Sequence, residues 1–264
     1  MNTSLTGYPY CLFIIKYLEQ STTDKRMMLR VLLAVLLPVA AYQSPLPIDC
    51  SDIYRAGSGQ DGVYTIYPAG PTSPVQVYCD MSNDGDDTAE KWTVIQRRQD
   101  GSVNFYRKWD QYKTGFGSAA GEYWLGLETM HLLSQAKSYE LRVDMEDFES
   151  QKVFAHYSSF SVGPETDGYR LNLGSFTKGA AGDSLKIHNG QKFTTTDKDQ
   201  DTHGSNCARL CFGGFWYQAC FGANPNGIYT WGPSPRIAGV HWSGFKGLEY
   251  SLKTIIMKIR PLAA

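Results

Sequence analysis

Residues 197–220 read DKDQDTHGSNCARLCFGGFWYQAC, and this stretch decides how the rest of the chain is interpreted. It opens with carboxylates at every second position, Asp197, Asp199 and Asp201, and continues through three cysteines and an aromatic run. Carboxylates spaced in this way can converge on a hard cation such as Ca²⁺ if the loop curls, with backbone carbonyls completing the coordination shell. The loop is not an EF-hand, because Ala208 stands where that motif needs its twelfth-position glutamate. A solvated acidic loop is the alternative interpretation.

Length, charge and missing motifs exclude several classes of protein. The chain has 264 residues, 42% of them hydrophobic and 19% charged, which suits one large globular domain or two modest ones. The formal net charge is -1, so no overall basic field is present to hold nucleic acid or an anionic membrane. Gly-x-Ser-x-Gly, His-Glu-x-x-His and phosphate-loop motifs are absent, and the five histidines are scattered. We therefore expect a protein that is not an enzyme and binds no nucleic acid.

The N-terminal part carries a targeting signal. Residues 27–41 begin with Met-Met-Leu-Arg, continue as a short apolar run and end in small residues, the pattern of a secretory signal peptide. The run is shorter than the roughly 20 apolar residues of a transmembrane helix, and Pro38 argues against a buried helix. We predict a secreted, extracellular protein with no membrane span. Residues 1–26 are interpreted as an upstream extension, 42–47 as a short leader and 48–264 as the folded domain.

Cysteine usage agrees with export. Of the six cysteines, Cys11 precedes the signal peptide, and the odd number that remains implies one thiol that is free or pairs with another chain. A bridge across the small loop from Cys207 to Cys220 would stabilise the fold by roughly 3 kcal/mol through the entropy of the unfolded chain. A bridge from Cys50 to Cys79 would staple the N-terminal strands in the same way.

Hydrophobic periodicity predicts a sheet built mainly from the first half of the chain. Strands are expected at 63–67, 75–79, 92–97, 139–145 and 153–162, and helical spacing is found at 127–136. The acidic stretch 80–90 is interpreted as a hairpin tip kept soluble by its charge. From 163 to 247 regular periodicity fades, and a closing strand at 250–259 returns to the sheet. So long an irregular segment is usually functional and needs disulfides or a metal to hold it.

Taken together, these motifs resemble those of the fibrinogen-related, or fibrinogen C-terminal, domain family. The matching segments cover essentially residues 49–261 and are 62–68, 78–81, 92–98, 121–126, the acidic loop, the cysteine segment ending at Tyr229, and 250–261. The resemblance implies an α+β fold with a central, twisted, mostly antiparallel sheet, short helices and a loop-rich calcium-binding lobe.

The resemblance also implies specific bonds and ligands. It pairs Cys50 with Cys79 and Cys207 with Cys220, and it leaves Cys211 unpaired. It places Ca²⁺ on the side chains of Asp199 and Asp201 and on the carbonyls of His203 and Ser205, with Asp197 nearby.

Lectin-like members of this family hold acetylated sugars in a pocket beside the calcium site. The pocket positions here hold Cys211, Phe221 and either Arg236 or Ile237, so the polar aromatics and the histidine of the pattern are missing. An acetamide needs hydrogen-bonding partners, because buried polar atoms without them are costly. Trp216, Tyr217 and Phe221 remain candidates for an apolar recognition surface, with core packing as the alternative for each.

Two functions follow from the resemblance. The first is a calcium-dependent binding protein of the extracellular matrix, of the elastic-fibre or microfibril-associated type, with elastin, fibrillin or collagen as partners. The alternative is an innate-immune lectin for acetylated or other glycans. Cys211 is either a buried small hydrophobe or a link between chains. Because no coiled-coil or collagen-like segment is present, a homo-oligomer would form through domain surfaces.

Overall fold

The computed structural model of the protein describes residues 45–82, 90–234 and 238–262. Ten strands form one mainly antiparallel sheet, and two further two-stranded sheets lie in the second half of the chain. In chain order the strands are β1 Gly62–Ile66, β2 Val75–Asp80, β3 Trp92–Arg98, β4 Phe116–Gly117, β5 Tyr123–Trp124, β6 Tyr139–Glu146, β7 Lys152–Val162, β8 Leu171–Leu173, β9 Phe176–Lys178, β10 Ala223–Asn224, β11 Gly232–Pro233, β12 His241–Trp242, β13 Tyr250–Ser251 and β14 Thr254–Pro261.

Within the described ranges the helices are few and short. They are α1 Cys50–Arg55, α2 Trp109–Thr114, α3 Leu127–Ala136, α4 Cys207–Leu210 and α5 Ser243–Lys246, with 3₁₀ turns at Glu165–Asp167 and Lys186–His188. Among the residues that the structure describes, no helix has the length and apolarity needed to cross a membrane. This α+β architecture confirms the predicted fold class.

The last strand completes the main sheet from its interior. Strand β14 lies between β3 and β6 and pairs antiparallel with both, so the sheet order runs β1-β2-β3-β14-β6-β7-β8. Along β6, Tyr139, Leu141, Val143 and Met145 are buried, while the residues between them are half-buried. This alternation gives the sheet one core face, as the sequence predicts.

Several local predictions need correction. The closing strand expected at 250–259 is two strands, because Tyr250–Ser251 pairs with β11 and only 254–261 enters the main sheet. Helices α1 and α2 have no counterpart among the sequence predictions. Residues 83–89 of the acidic tip, the extension 1–26, the signal peptide 27–41 and part of the 42–47 leader lie outside the described residues.

Candidate functional site

The acidic loop, residues 197–207, brings two of the predicted ligands together. Both carboxylate oxygens of Asp201 are bonded to backbone amides: Oδ1 accepts from His203 N at 3.0 Å and Oδ2 accepts from Cys207 N at 2.9 Å. The Asp199 carboxylate lies beside it and interacts with it directly. Partial burial and the Asp199 charge raise the pKa of the Asp201 carboxyl, although the two amides oppose the rise. Two adjacent carboxylates that repel each other form a donor set suited to a hard divalent cation.

The predicted carbonyl ligands lie on the exposed side of the same loop. His203 and Ser205 are both exposed, and the His203 ring folds back onto Ser205. His203 Nδ1 lies 2.9 Å from Ser205 O and 3.1 Å from Ser205 N, so its tautomer decides which of the two it bonds. The loop therefore supplies hard oxygen donors close to solvent, and these residues fit Ca²⁺.

Asp197 has a structural role in the fold. Its Oδ1 accepts from Trp109 N at 2.9 Å and from the Thr195 hydroxyl at 2.8 Å. Partial burial raises the pKa of the Asp197 carboxyl, but these hydrogen bonds outweigh it and leave the pKa lowered. Since Trp109 begins α2, this carboxylate supplies the N-terminal cap that Lys108, the residue before the helix, does not provide.

A second cluster near the loop has metal-ligand atoms but cannot bind a metal through sulfur. The ligand atoms of His203, Cys207 and Cys220 lie within 4.8 Å of one another. Cys207 and Cys220, however, are bonded to each other in a disulfide. Metal-binding cysteines are thiolates, and these sulfurs are not available in that form.

The described residues contain two disulfides, of which only Cys207–Cys220 lies in the lobe, which we define as residues 163–247; Cys50–Cys79 joins α1 to β2 outside it. Cys50 is bonded to Cys79 and Cys207 to Cys220, with Cα atoms 5.4 and 5.5 Å apart. These are the pairs that the family resemblance implies. Thr202 N donates to Gln218 O at 3.0 Å, which ties the acidic loop to the segment before Cys220. The irregular backbone around the candidate metal ligands is thus fixed at both ends.

The predicted apolar recognition surface is largely absent, because Trp216 and Tyr217 are fully buried. Trp216 Nε1 donates to Tyr169 O at 2.7 Å, and the Tyr217 hydroxyl donates to Asn224 Oδ1 at 2.7 Å. Core packing is therefore the correct interpretation for both rings. Phe221 is half-buried and stacks on His241, with ring centroids 6.1 Å apart. Ile237, the last residue named for the pocket, lies outside the described residues.

Among the described residues Cys211 is the cysteine outside the two disulfides, and its side chain is completely buried. Burial, with a smaller contribution from the Asp201 charge, raises the pKa of the thiol to about 12. A protonated, enclosed sulfur is poorly suited to bond another chain. The structure therefore favours the small-hydrophobe interpretation.

A buried histidine, for which the sequence gives no signal, organises the centre of the lobe. His188 Nδ1 lies 2.7 Å from Trp216 O, and Nε2 accepts from Gly222 N at 3.0 Å and Ala223 N at 3.1 Å. This pattern fixes the neutral tautomer with the proton on Nδ1. Burial lowers the pKa of His188 to about 4, although the bond to Trp216 opposes the shift.

A buried polar network joins the main sheet to the lobe. From β3, the side chain of Arg98 donates to Gly227 O at 2.6 Å, and that of Gln96 donates to Asn226 Oδ1 at 3.1 Å. The Arg98 guanidinium lies 3.5 Å from Glu122, and both side chains are almost fully buried. The Glu122 carboxylate in turn accepts from four backbone amides, those of Gln99, Asp100, Gly101 and Val103. The buried side chains of Arg98 and Gln96 thus join β3 to the second half of the lobe.

The chain has the fold, the disulfides and the loop-rich lobe of a fibrinogen-like domain. It matches the family described as "Fibrinogen beta and gamma chains, C-terminal globular domain" over residues 46–262, and it belongs to that family.

Similar proteins are found among curated sequences and solved structures. Microfibril-associated glycoprotein 4 of Bos taurus is 53% identical over 221 residues, which are 81% of this chain and 85% of that protein. Human fibrinogen C domain-containing protein 1 is 48% identical over 219 residues, covering 81% of this chain and 46% of that protein. The fibrinogen-like globe domain of human ANGPTL6 superposes with a TM-score of 0.77 at 44% identity, covering 85% of this chain and 100% of the other.

Proposed function

We propose that this chain is a secreted, non-catalytic binding protein of the extracellular matrix and that Ca²⁺ orders its binding lobe. The observation that carries the proposal is the pair of adjacent carboxylates, Asp199 and Asp201, in a loop fixed by the Cys207–Cys220 disulfide. The 53% identity to microfibril-associated glycoprotein 4 supports a matrix partner of the elastin, fibrillin or collagen type.

The loop residues would act together on the cation. Asp199 and Asp201 would hold Ca²⁺ through their carboxylates, and the carbonyls of His203 and Ser205 would complete the shell. Partial burial, together with repulsion from Asp199, raises the pKa of the Asp201 carboxyl, and a bound cation would remove the repulsion. Because Asp201 already bonds the amide of Cys207, fixing its carboxylate would also fix the start of α4.

Calcium binding is tested first by thermal melting with Ca²⁺ and with chelator. A ligand at 100 times its Kd stabilises a protein by about 2.7 kcal/mol, which corresponds to roughly 5–10 °C in Tm for a domain of this size. Asp199→Asn is expected to abolish this shift, and it spares the amide bonds that Asp201 makes. The matched control is Asp110→Asn, at an exposed aspartate in the first turn of α2, which should keep the full shift. An unchanged wild-type Tm would argue against a calcium site.

Partner binding is tested by solid-phase assay on tropoelastin, fibrillin and collagen. We expect saturable binding that chelator and Asp199→Asn both reduce and that Asp110→Asn preserves. A glycan array with Ca²⁺ runs in parallel. Selective glycan binding without matrix binding would favour the lectin alternative, for which burial of Trp216 and Tyr217 removes two of the named contact residues.

A further inference from the structure

The Tyr123 side chain lies between two strands, β2 and β5, that both pair with β3 in the first half of the main sheet. Strands β2 and β5 pair with the same edge of β3: β2 through Cys79 and Asp80, and β5 through Tyr123 and Trp124. Between these contacts the Tyr123 hydroxyl donates to Val94 O on β3 and accepts from Tyr78 N on β2, the latter at 3.2 Å. The side chain thus takes the place of ladder bonds, and β2 separates from the sheet beyond this point.

The separation leaves a cleft of about 540 Å³ between β2 and the β4–β5 hairpin. Every described residue that lines it is uncharged, and the walls include Val63, Val75, Phe116 and Ala119. No lining residue belongs to the acidic loop or to the Cys207–Cys220 segment. The cleft is therefore a separate feature from the candidate calcium site.

The β2 wall of the cleft has an open strand edge. The amide of Tyr78 points away from β1, toward Tyr123, so strand alternation turns the amide and carbonyl of Gln76 the same way. Gln76 lines the cleft, and among the described residues positions 75–78 pair with no strand other than β1.

The opposite wall has a second open edge. At the end of β4, Ser118 N donates to Glu122 O, and Gly117 has a left-handed φ of 85°, so the regular strand ends at this residue. Gly117 and Ser118 both line the cleft, and in the described part of the chain β4 pairs only with β5. Unpaired strand edges are templates for an added strand.

We propose that this cleft binds an extended, uncharged peptide segment of a partner protein, which adds as a strand to β2 at Gln76. Main-chain hydrogen bonds to the open edge would supply the binding, as in other cases of strand addition. The lining residues are uncharged and therefore favour an uncharged partner; the Arg97 guanidinium lies behind the wall, where it bonds the carbonyls of Ala119 and Gly121. The acidic loop contributes nothing to this site, so binding should not depend on Ca²⁺.

The test uses the full chain and a fluorescein-labelled, C-amidated heptapeptide of alternating Ser and Val, followed by fluorescence polarisation. Gln76→Pro removes the cleft-facing N–H while sparing the bonds to β1, and it should weaken binding at least tenfold. The matched control Gln76→Thr keeps the N–H and should bind within twofold of wild type.

A second arm does not require a folded proline variant. The same peptide N-methylated at every internal amide has no N–H to donate along either edge, and it should lose binding to the wild-type chain. Chelator should change neither result, which separates this site from the calcium-dependent function. The proposal is overturned if the unmodified peptide shows no saturable binding. It is also overturned if the N-methylated peptide binds as well as the unmodified one, or if a folded Gln76→Pro variant retains wild-type affinity.

Discussion

Acidification should destabilise this domain through His188. The folded pKa of this side chain is about 4, against an ordinary value of 6.5, so the unfolded chain takes up the proton first as the pH falls. The stability that neutral His188 contributes is complete above pH 6.5 and is lost as the pH falls from there toward 4. The full shift corresponds to about 3 kcal/mol, of which about 2 kcal/mol is lost by pH 5.

The loss of stability on protonation follows from the hydrogen bonds and the surroundings of the His188 ring. A protonated ring could no longer accept the amides of Gly222 and Ala223 at Nε2, and its charge would lie in the aromatic interior beside Phe215, with ring centroids 5.0 Å apart. No ion pair of His188 is found among the described residues that could stabilise the charge. Loss of these bonds would release the segment that follows Cys220.

The assay is urea unfolding at pH 7 and pH 5, in chelator so that calcium binding does not contribute. In His188→Gln the side chain can still donate and accept but does not titrate, so the loss between the two pH values should be about 2 kcal/mol smaller than in wild type. Carboxylates titrate alike in both proteins and cancel in the comparison. The partly exposed His131 provides the control, since His131→Gln should keep the wild-type loss. An equal pH dependence in wild type and His188→Gln would refute the argument.

Three further outcomes are expected. In the native chain without residues 1–41, which include Cys11, Cys211 should not react with an aromatic disulfide reagent, and one thiol should titrate after denaturation; rapid native reaction would contradict its burial. Replacing Cys207 and Cys220 together by Ser should lower the free energy of unfolding by about 3 kcal/mol for this 13-residue separation, measured by urea titration, and no loss would contradict the role of the bridge. Arg98→Met should cost about 3 kcal/mol or more by the same measurement, because it leaves the buried Glu122 carboxylate without its cation; a cost below about 1 kcal/mol would show that the backbone amides alone compensate that charge.

Much of the sheet could be predicted from the sequence, because its signals are local. The alternation at 139–146 identifies both β6 and its buried face, and the helical spacing at 127–136 identifies α3. Helix α2 was missed since its cap is not local: the bond that completes its first turn comes from Asp197, 88 positions along the chain.

The candidate site also has features that local sequence predicts and features that depend on distant residues. Alternating aspartates identify an oxygen-rich loop, but the sequence cannot tell a recognition surface from a core when both are aromatic, and Trp216 and Tyr217 prove to be core. Arg98 is a further case, because a charged strand residue is normally expected at the surface. Its burial depends on Glu122 and on the carbonyl of Gly227 in the lobe. These partners are distant in sequence, so a local sequence pattern does not predict that they meet Arg98.

The position of β14 has a consequence for how the chain is made. Arg260 bonds Glu140 across 120 positions, so the strand that joins the two halves of the sheet is synthesised long after β3 and β6. Before β14 is added, β3 and β6 of the nascent chain each have an unpaired strand edge, at which another copy of the chain could pair. Assembly of the main sheet must therefore wait until β14 has been translated, and a truncation that removes this single strand leaves two half-sheets with nothing between them.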